Sequence, residues 1–386
     1  MSRTDVMVAG LGTMGGYVLE NVVREPTVSK IVAVDVNEEY GIQKTYTAML
    51  GANHLGLYPD VKFYKMDLYE DVGKNAELIK KVNPRVIISN VAMISPGGRR
   101  KVLPPEVNDK LHSDFVEGPW LPLQVRLPYR LMRAVKEANI DTYVVNVSYP
   151  DAVGPALRTQ GLAPTVGFGN IDNIAVMIKQ EVAEREGVKA HSVMPFLVAH
   201  HFVNVWLAWG KPDPDKFCPY YLKIFVDSKD VTSKYDTNEL MKTCREGNKQ
   251  LGFGGPNYVT IGASGVKNAL ALIQDRQILT HAPSPNGMVG GFPVRLGADG
   301  AKVVLPAGIT EKEALKINLE GQRRDGIEEI RDDGTVIFPD RAVEKIHEIL
   351  NFRLKSFKVN EVDAVAEDLW AKLKELAKKK GYWDRT

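Results

Sequence analysis

Val6-Met7-Val8-Ala9-Gly10-Leu11-Gly12-Thr13-Met14-Gly15, followed by Ile31-Val32-Ala33-Val34-Asp35, is the stretch that decides the fold. The first four residues read as a buried strand, the glycines as a turn, Tyr17 to Val23 as a helix, and the second apolar run as a strand ending in a carboxylate. Together they make a βαβ unit. Gly10 permits the tight turn, Gly12 lets backbone approach a pyrophosphate, and Gly15 lets the helix pack closely on the strand. Leu11, Thr13 and Met14 complete the cradle, with helix N-terminal amides offered to the anion. Asp35, 20 positions after Gly15, is placed to accept from the adenosine ribose hydroxyls. Its charge repels a 2'-phosphate, so NAD is favoured over NADP.

Composition narrows the class. The chain has 386 residues, enough for two lobes, and a net charge of only +2 with 25% charged residues, so nothing argues for nucleic acid or an anionic membrane as partner. The two cysteines, Cys218 and Cys244, lack metal-type spacing and suit a reducing cytoplasm. The chain enters a strand almost at once, leaving no room for a leader, and no apolar run is long enough to span a bilayer. A soluble cytoplasmic protein with a small-molecule substrate is expected.

Beyond Asp35 the pattern alternates. Glu38 to Leu50 reads as helix, Val61 to Tyr64 as strand, Ala76 to Lys81 as the end of a helix, and Arg85 to Asn90 as a β-branched strand. Ser95 to Pro122 is rich in Pro and Gly and reads as a long loop over the strand ends. Leu127 to Ala138 returns to helix, Thr142 to Val147 to strand, and Tyr149-Pro150-Asp151 to a turn. The expected class is α/β: a doubly wound parallel Rossmann sheet over residues 1–170, followed by an α+β substrate domain over 171–386. In the second part, Asp172 to Glu186 and Gly262 to Leu272 read as helices, His191 to Val198 as a strand, and Phe292 to Leu305 as antiparallel strands. Thr310 with Glu313 forms a capping-box pattern, and Val362 to Lys380 a long amphipathic helix. Residues 210–256 give no readable pattern.

From Thr165 to Trp206 the order of motifs resembles the lactate/malate dehydrogenase superfamily. Gly167-Phe168-Gly169-Asn170-Ile171-Asp172 is similar to that family's approach to its catalytic aspartate. Phe196-Leu197-Val198-Ala199-His200-His201, followed by Val205-Trp206, is similar to the strand that presents its histidine. Asn146 to Asp151, Tyr258 to Gly262 before a long helix, and Pro293 to Gly297 extend the resemblance over residues 5 to 320. It implies a lactate/malate dehydrogenase-like C-terminal domain, an Asp172–His201 proton relay 29 positions apart, and a homodimer or homotetramer. The departures matter as much. The family's carboxylate-binding arginine is replaced by Ala175, Tyr149 stands where the family turn has asparagine, and His200 and Phe202 flank the histidine. A carboxylate clamp needs a guanidinium fork, so the usual 2-hydroxy acid is not expected.

Moving a hydride to or from a secondary alcohol also requires a proton carrier, and a histidine oriented by a buried carboxylate meets that need. His201 and Asp172 are the catalytic candidates; His200, on the opposite strand face by alternation, is expected to be packing. Arg99, Arg100 and Asn257 are substrate-binding candidates, the arginines on a loop placed like a lid. Asn90 and Asn146, at strand ends, are candidates for the nicotinamide side of the cofactor. The competing roles are a surface histidine pair, a helix cap for Asp172, a solvated basic turn at Arg99-Arg100, and self-satisfied turn amides. No metal site is expected. The expected function is an NAD-dependent dehydrogenase or reductase acting on a polyol, sugar derivative or atypical hydroxy acid. The alternatives are an NAD-using glycosidase resembling family 4 and a non-catalytic NAD sensor.

Overall fold

Asp5, in the first strand, uses one carboxylate oxygen to accept from the backbone amides of Ser29 and Lys30, and so fixes where the second strand begins. In a computed structural model, which describes residues 3–113, 117–203, 218–251 and 255–383, the neighbouring strands β1 (Thr4–Ala9) and β2 (Lys30–Asp35) pair in parallel around α1 (Thr13–Val22). Next come α2 (Glu38–His54), β3 (Asp60–Lys65), α3 (Val72–Val82) and β4 (Pro84–Ser89). The segment expected to be a long loop instead folds into α4 (Pro96–Val102) and α5 (Pro105–Ser113), because Ser95 and the prolines supply helix starts inside it. Then follow α6 (Leu121–Ala138), β5 (Tyr143–Asn146), α7 (Pro150–Arg158) and β6 (Val166–Gly167). The turn expected at Tyr149 to Asp151 is the start of α7, with Tyr149 as its left-handed N-cap at φ 33°.

These six strands form a parallel sheet in the order β3-β2-β1-β4-β5-β6. Helices cover both faces, so β1, β2, β4 and β5 are mostly apolar and buried, while the edge strand β3 is polar and largely exposed.

The rest builds on one end of that sheet. α8 (Ile171–Glu186) leads to the antiparallel β7 (Val193–Val198), β8 (Tyr221–Val226) and β9 (Lys229–Asp230). α9 (Thr237–Leu251) and α10 (Gly255–Ile273) precede a second antiparallel set, β10 (Ile278–Pro283), β11 (Gly291–Gly297) and β12 (Gly300–Val303). Tyr258 to Gly262, expected ahead of the long helix, lies within its first turns. The capping box at Thr310 forms and opens α11 (Glu311–Arg324).

The last residues return to the parallel sheet. β13 (Glu329–Ile330), β14 (Thr335–Ile337), α12 (Asp340–Leu350), β15 (Ser356–Lys358) and α13 (Val362–Lys379) share one apolar core with α3 and α6. Asp363 and Glu367 of α13 hold Arg126 of α6 at 2.9 and 2.5 Å, and Asp363 also holds Arg130.

Candidate functional site

The glycine turn takes the shape its residues dictate. Gly10 has φ +81°, and a Cβ on Gly15 would stand 1.7 Å from the Gly10 carbonyl oxygen, so that position admits only glycine. Beside Gly12, by contrast, nothing lies within 4 Å of where a Cβ would be, and Gly12 caps α1 with no side-chain bond. The first turn of α1 therefore presents unsatisfied amides and no acidic side chain to open space, an arrangement suited to a pyrophosphate. Asp35 is held in place, Oδ2 accepting from the Leu11 amide at 2.6 Å and Oδ1 from the Asn37 amide at 2.9 Å. Asn90, at the end of β4, has a buried Oδ1 that takes no hydrogen bond. These residues fit a dinucleotide. Asn146 does not join them: it is buried, donates to the Ser148 carbonyl and accepts from the Ser148 amide, so its amide closes its own turn.

A second cluster lies over the same carboxyl edge of the sheet. α7 and α8 follow the ends of β5 and β6, and each contributes a polar residue from its start. Asp151, fully buried in the first turn of α7, accepts from the side chain of Asn170 at 2.6 Å and from the His201 amide at 2.9 Å. Asn170, the N-cap of α8, has φ 50° and ψ −113°, a strained backbone held by that bond. The imidazole of His201 is 17% exposed, and its Nδ1 lies 2.9 Å from Oδ2 of Asp325, which also accepts from the Tyr149 hydroxyl at 2.7 Å. Asp325 is fully buried and caps the C-terminus of α11. Its backbone carbonyl accepts from the Gly118 amide.

The expected Asp172–His201 pair does not form. The carboxylate of Asp172 accepts from Ser264 at 2.5 Å and from the Lys267 ammonium at 2.7 Å, because this face of α8 packs against α10, where a full cation is within reach. His200 also departs from the alternation expected of a strand. β7 ends at Val198 and the chain is helical from His201, so both histidines turn toward one carboxylate, with His200 Nδ1 3.9 Å from Asp325.

Burial opposes charge on His201, but Asp325, its hydrogen bond, Asp151 and Glu117 outweigh that and push the imidazole up to about 9. Burial likewise opposes charge on Asp325, yet His201, the bond to it, His200 and Tyr149 hold its carboxyl below the usual range. His200, buried without a bond to Asp325, is lowered and stays neutral. Tyr149 is raised well above its ordinary value by burial and by Asp325.

Arg99 is not a substrate arm: it is buried, bidentate to Glu117 at 2.8 and 2.6 Å, and stacked 4.5 Å over Trp120. Arg100 is half-buried, lowered to about 10 by burial and by Arg99, and lies toward Tyr258 of α10. Asn257 uses its backbone carbonyl and Oδ1 to accept from Thr260 in the first turn of α10. Val205 and Trp206 lie outside the described residues. Among the described residues no group of three metal-type side chains converges, and no helix is long and apolar enough to cross a membrane.

No protein-family model and no curated protein matches the sequence. Solved structures do match. A lactate dehydrogenase from Cryptosporidium parvum, complexed with lactic acid and nicotinamide adenine dinucleotide, superposes with a TM-score of 0.59 at 16% identity, covering 84% of this chain and 99% of its own. The malate dehydrogenase of Picrophilus torridus in its apo form gives 0.57 at 18% identity over 96% and 99% of the two chains. The lactate dehydrogenase MGS-M5 from a Medee basin deep-sea metagenome library gives 0.59 at 13% over 84% and 97%. With its six-stranded parallel sheet and the antiparallel strands built on one end of it, the chain has the lactate/malate dehydrogenase fold.

Proposed function

We propose that this chain is an NAD-dependent oxidoreductase that moves a hydride between nicotinamide and a hydroxyl or keto substrate, with His201 carrying the proton. The observation that carries this reading is the pairing of two features on one sheet edge: an open, uncapped glycine turn and a histidine anchored through Nδ1 on a buried carboxylate. Gly10, Leu11, Gly12, Thr13, Met14 and Gly15 bind the pyrophosphate, Asp35 the adenosine ribose, and Asn90 the nicotinamide side. NAD supplies the hydride acceptor when bound. With Nδ1 held by Asp325, His201 has Nε2 left to meet the substrate oxygen, taking the hydroxyl proton in oxidation and returning it in reduction.

The substrate is a polyol, sugar derivative or atypical hydroxy acid. Arg99 is committed to Glu117 and Ala175 stands in the expected clamp position, while Asp151, Asp325 and Glu117 bring negative charge to the site. Assaying NADH formation with NAD across hydroxy acids, polyols and sugars, with and without divalent metal, tests this. Turnover on a polyol or sugar is the expected result. Cofactor binding with no turnover on any member would point to a sensor, and sugar cleavage without net NADH to a glycosidase.

Two buried free thiols, Cys218 and Cys244, support a reducing, cytoplasmic setting. Self-association through α2 belongs to the same reading. Ile42, Tyr46 and Leu50 form one stripe on α2, 52%, 58% and 40% exposed, and Leu55 and Tyr58 just beyond the helix are exposed too. Two copies antiparallel about a two-fold axis would set Glu38 and Glu39 near the partner helix's His54 end. Tyr46→Glu should convert a dimer to a monomer by light scattering.

A further inference from the structure

We infer that Asp325, delivered from the end of α11, is the carboxylate that positions His201, and that Asp172 has no part in the proton relay. The inference rests on the proposed hydride transfer only for its catalytic meaning; the pairing itself stands on geometry. Asp325 is fully buried, and no Lys or Arg forms a salt bridge with it among the described residues; within salt-bridge distance it meets only His201 at 2.9 Å and His200 at 3.9 Å. A bare carboxylate in that position is expensive, so its charge is maintained by an imidazolium. His200 does not serve, since its Nδ1 accepts from the Phe202 amide. His201 does, and the bond from Nδ1 leaves Nε2 as the ring atom available to a substrate.

Tyr149 completes the arrangement. Its hydroxyl donates to the same Asp325 oxygen and its ring meets His201 edge-on at 5.3 Å, so the carboxylate cannot rotate away without losing two bonds. Its left-handed backbone is the local cost of that placement. Asp325 is itself pinned: a Cβ on Gly118 would strike the Gly326 carbonyl at 2.2 Å, and the Gly118 amide donates to the Asp325 carbonyl. Asp172 is as deeply buried but faces Lys267, Ser264 and Thr280.

The groups that set the charge of His201 are Asp325 on α11, Asp151 on α7, Glu117 ahead of α6, and the neighbouring His200 and Tyr149. Asp325 is the one charged group hydrogen-bonded to the ring. The test is a histidine ¹⁵N NMR titration of the full chain, with the His201 signal assigned by its loss in His201→Gln. In the wild type both His201 ring nitrogens should stay protonated at pH 7.5, with a midpoint near 9. Asp325→Asn should lower that midpoint by about two units. Asp172→Asn should leave it in place. A wild-type midpoint at the ordinary 6.5 would overturn the inference without any variant having to fold. So would a fall in Asp172→Asn that matches or exceeds the one in Asp325→Asn. None of these readouts needs turnover, so failure of the activity panel and failure of the pairing are separate results.

Discussion

Two buried aspartates at opposite ends of two helices organise this molecule, and they do opposite things. Asp172 sits in the first turn of α8, where the helix dipole favours a negative charge, and it is neutralised by Lys267. Asp325 sits at the C-terminal end of α11, where the dipole opposes it, with His201 as its counter-charge. The first is electrostatically comfortable, with a cation of its own. The second is tolerable only while a titratable partner is charged, a condition typical of a working site. Sequence position alone suggests the reverse assignment.

The comparison can be broken most sharply at Asp325. Asp325→Asn should lower kcat on the best substrate by about 10²–10⁴-fold, the range of a lost acid–base group, with binding of NAD unchanged in a fluorescence titration. Undiminished turnover would make Asp325 a structural residue like Asp172. A buried pair of a different kind sets the scale for folding. Arg99→Met leaves Glu117 charged and unpartnered beneath Trp120, and should cost about 3–5 kcal/mol in chemical denaturation. A loss below about 1 kcal/mol would show that the pair is solvated.

The pH dependence of stability separates the two aspartates without mutation. His201 is raised from 6.5 to about 9, so its contribution is fully present below pH 6.5 and disappears as pH rises through 9. The amount is of order 3 kcal/mol. The lowered carboxyl of Asp325 gives the opposite limb, present above its unfolded value of 3.8 and lost as pH falls through the lower folded one. Denaturation midpoints that stay flat from pH 6.5 to 10 would contradict the imidazolium. Asp172→Asn is the smallest expected effect, about 1–2 kcal/mol of stability, since Lys267 is one-third exposed and keeps access to solvent. A larger activity loss there than in Asp325→Asn would reverse the assignment.

The glycine turn and the relay also differ in how far the chain itself reveals them. Gly10, Gly15 and Asp35 act within one βαβ unit, through local backbone demands that leave a fixed spacing in the sequence. β1 to β5 are legible, most of them because helices on both faces require apolar runs, whereas β6 is only Val166–Gly167 and leaves no such run. The segment from Ser95 to Pro122 was not, because Ser95 and the prolines act there as helix starts rather than as loop formers. The proposed relay draws on Tyr149, Asp151, His201 and Asp325, which meet only after the sheet, α7, α8 and α11 have packed. His201 is suggested by its place just after a strand. The carboxylate beside it is not, because Asp172 has the expected spacing but lies on the face of α8 that packs against α10. One local clue did exist: an aspartate followed by glycine at a helix C-terminus, Asp325-Gly326, opposes the dipole and needs a reason. Asn146 and Arg99 depart from expectation for a shared cause, since each side chain is consumed by a partner, Ser148 or Glu117, that spacing does not reveal.

The most direct test of the account is the pH profile of kcat/KM on the best substrate for the wild type, Asp325→Asn and Asp172→Asn. A limb near pH 9 is expected in the wild type and in Asp172→Asn, displaced toward the ordinary imidazole range in Asp325→Asn. A limb that moves in Asp172→Asn and stays in place in Asp325→Asn would contradict it.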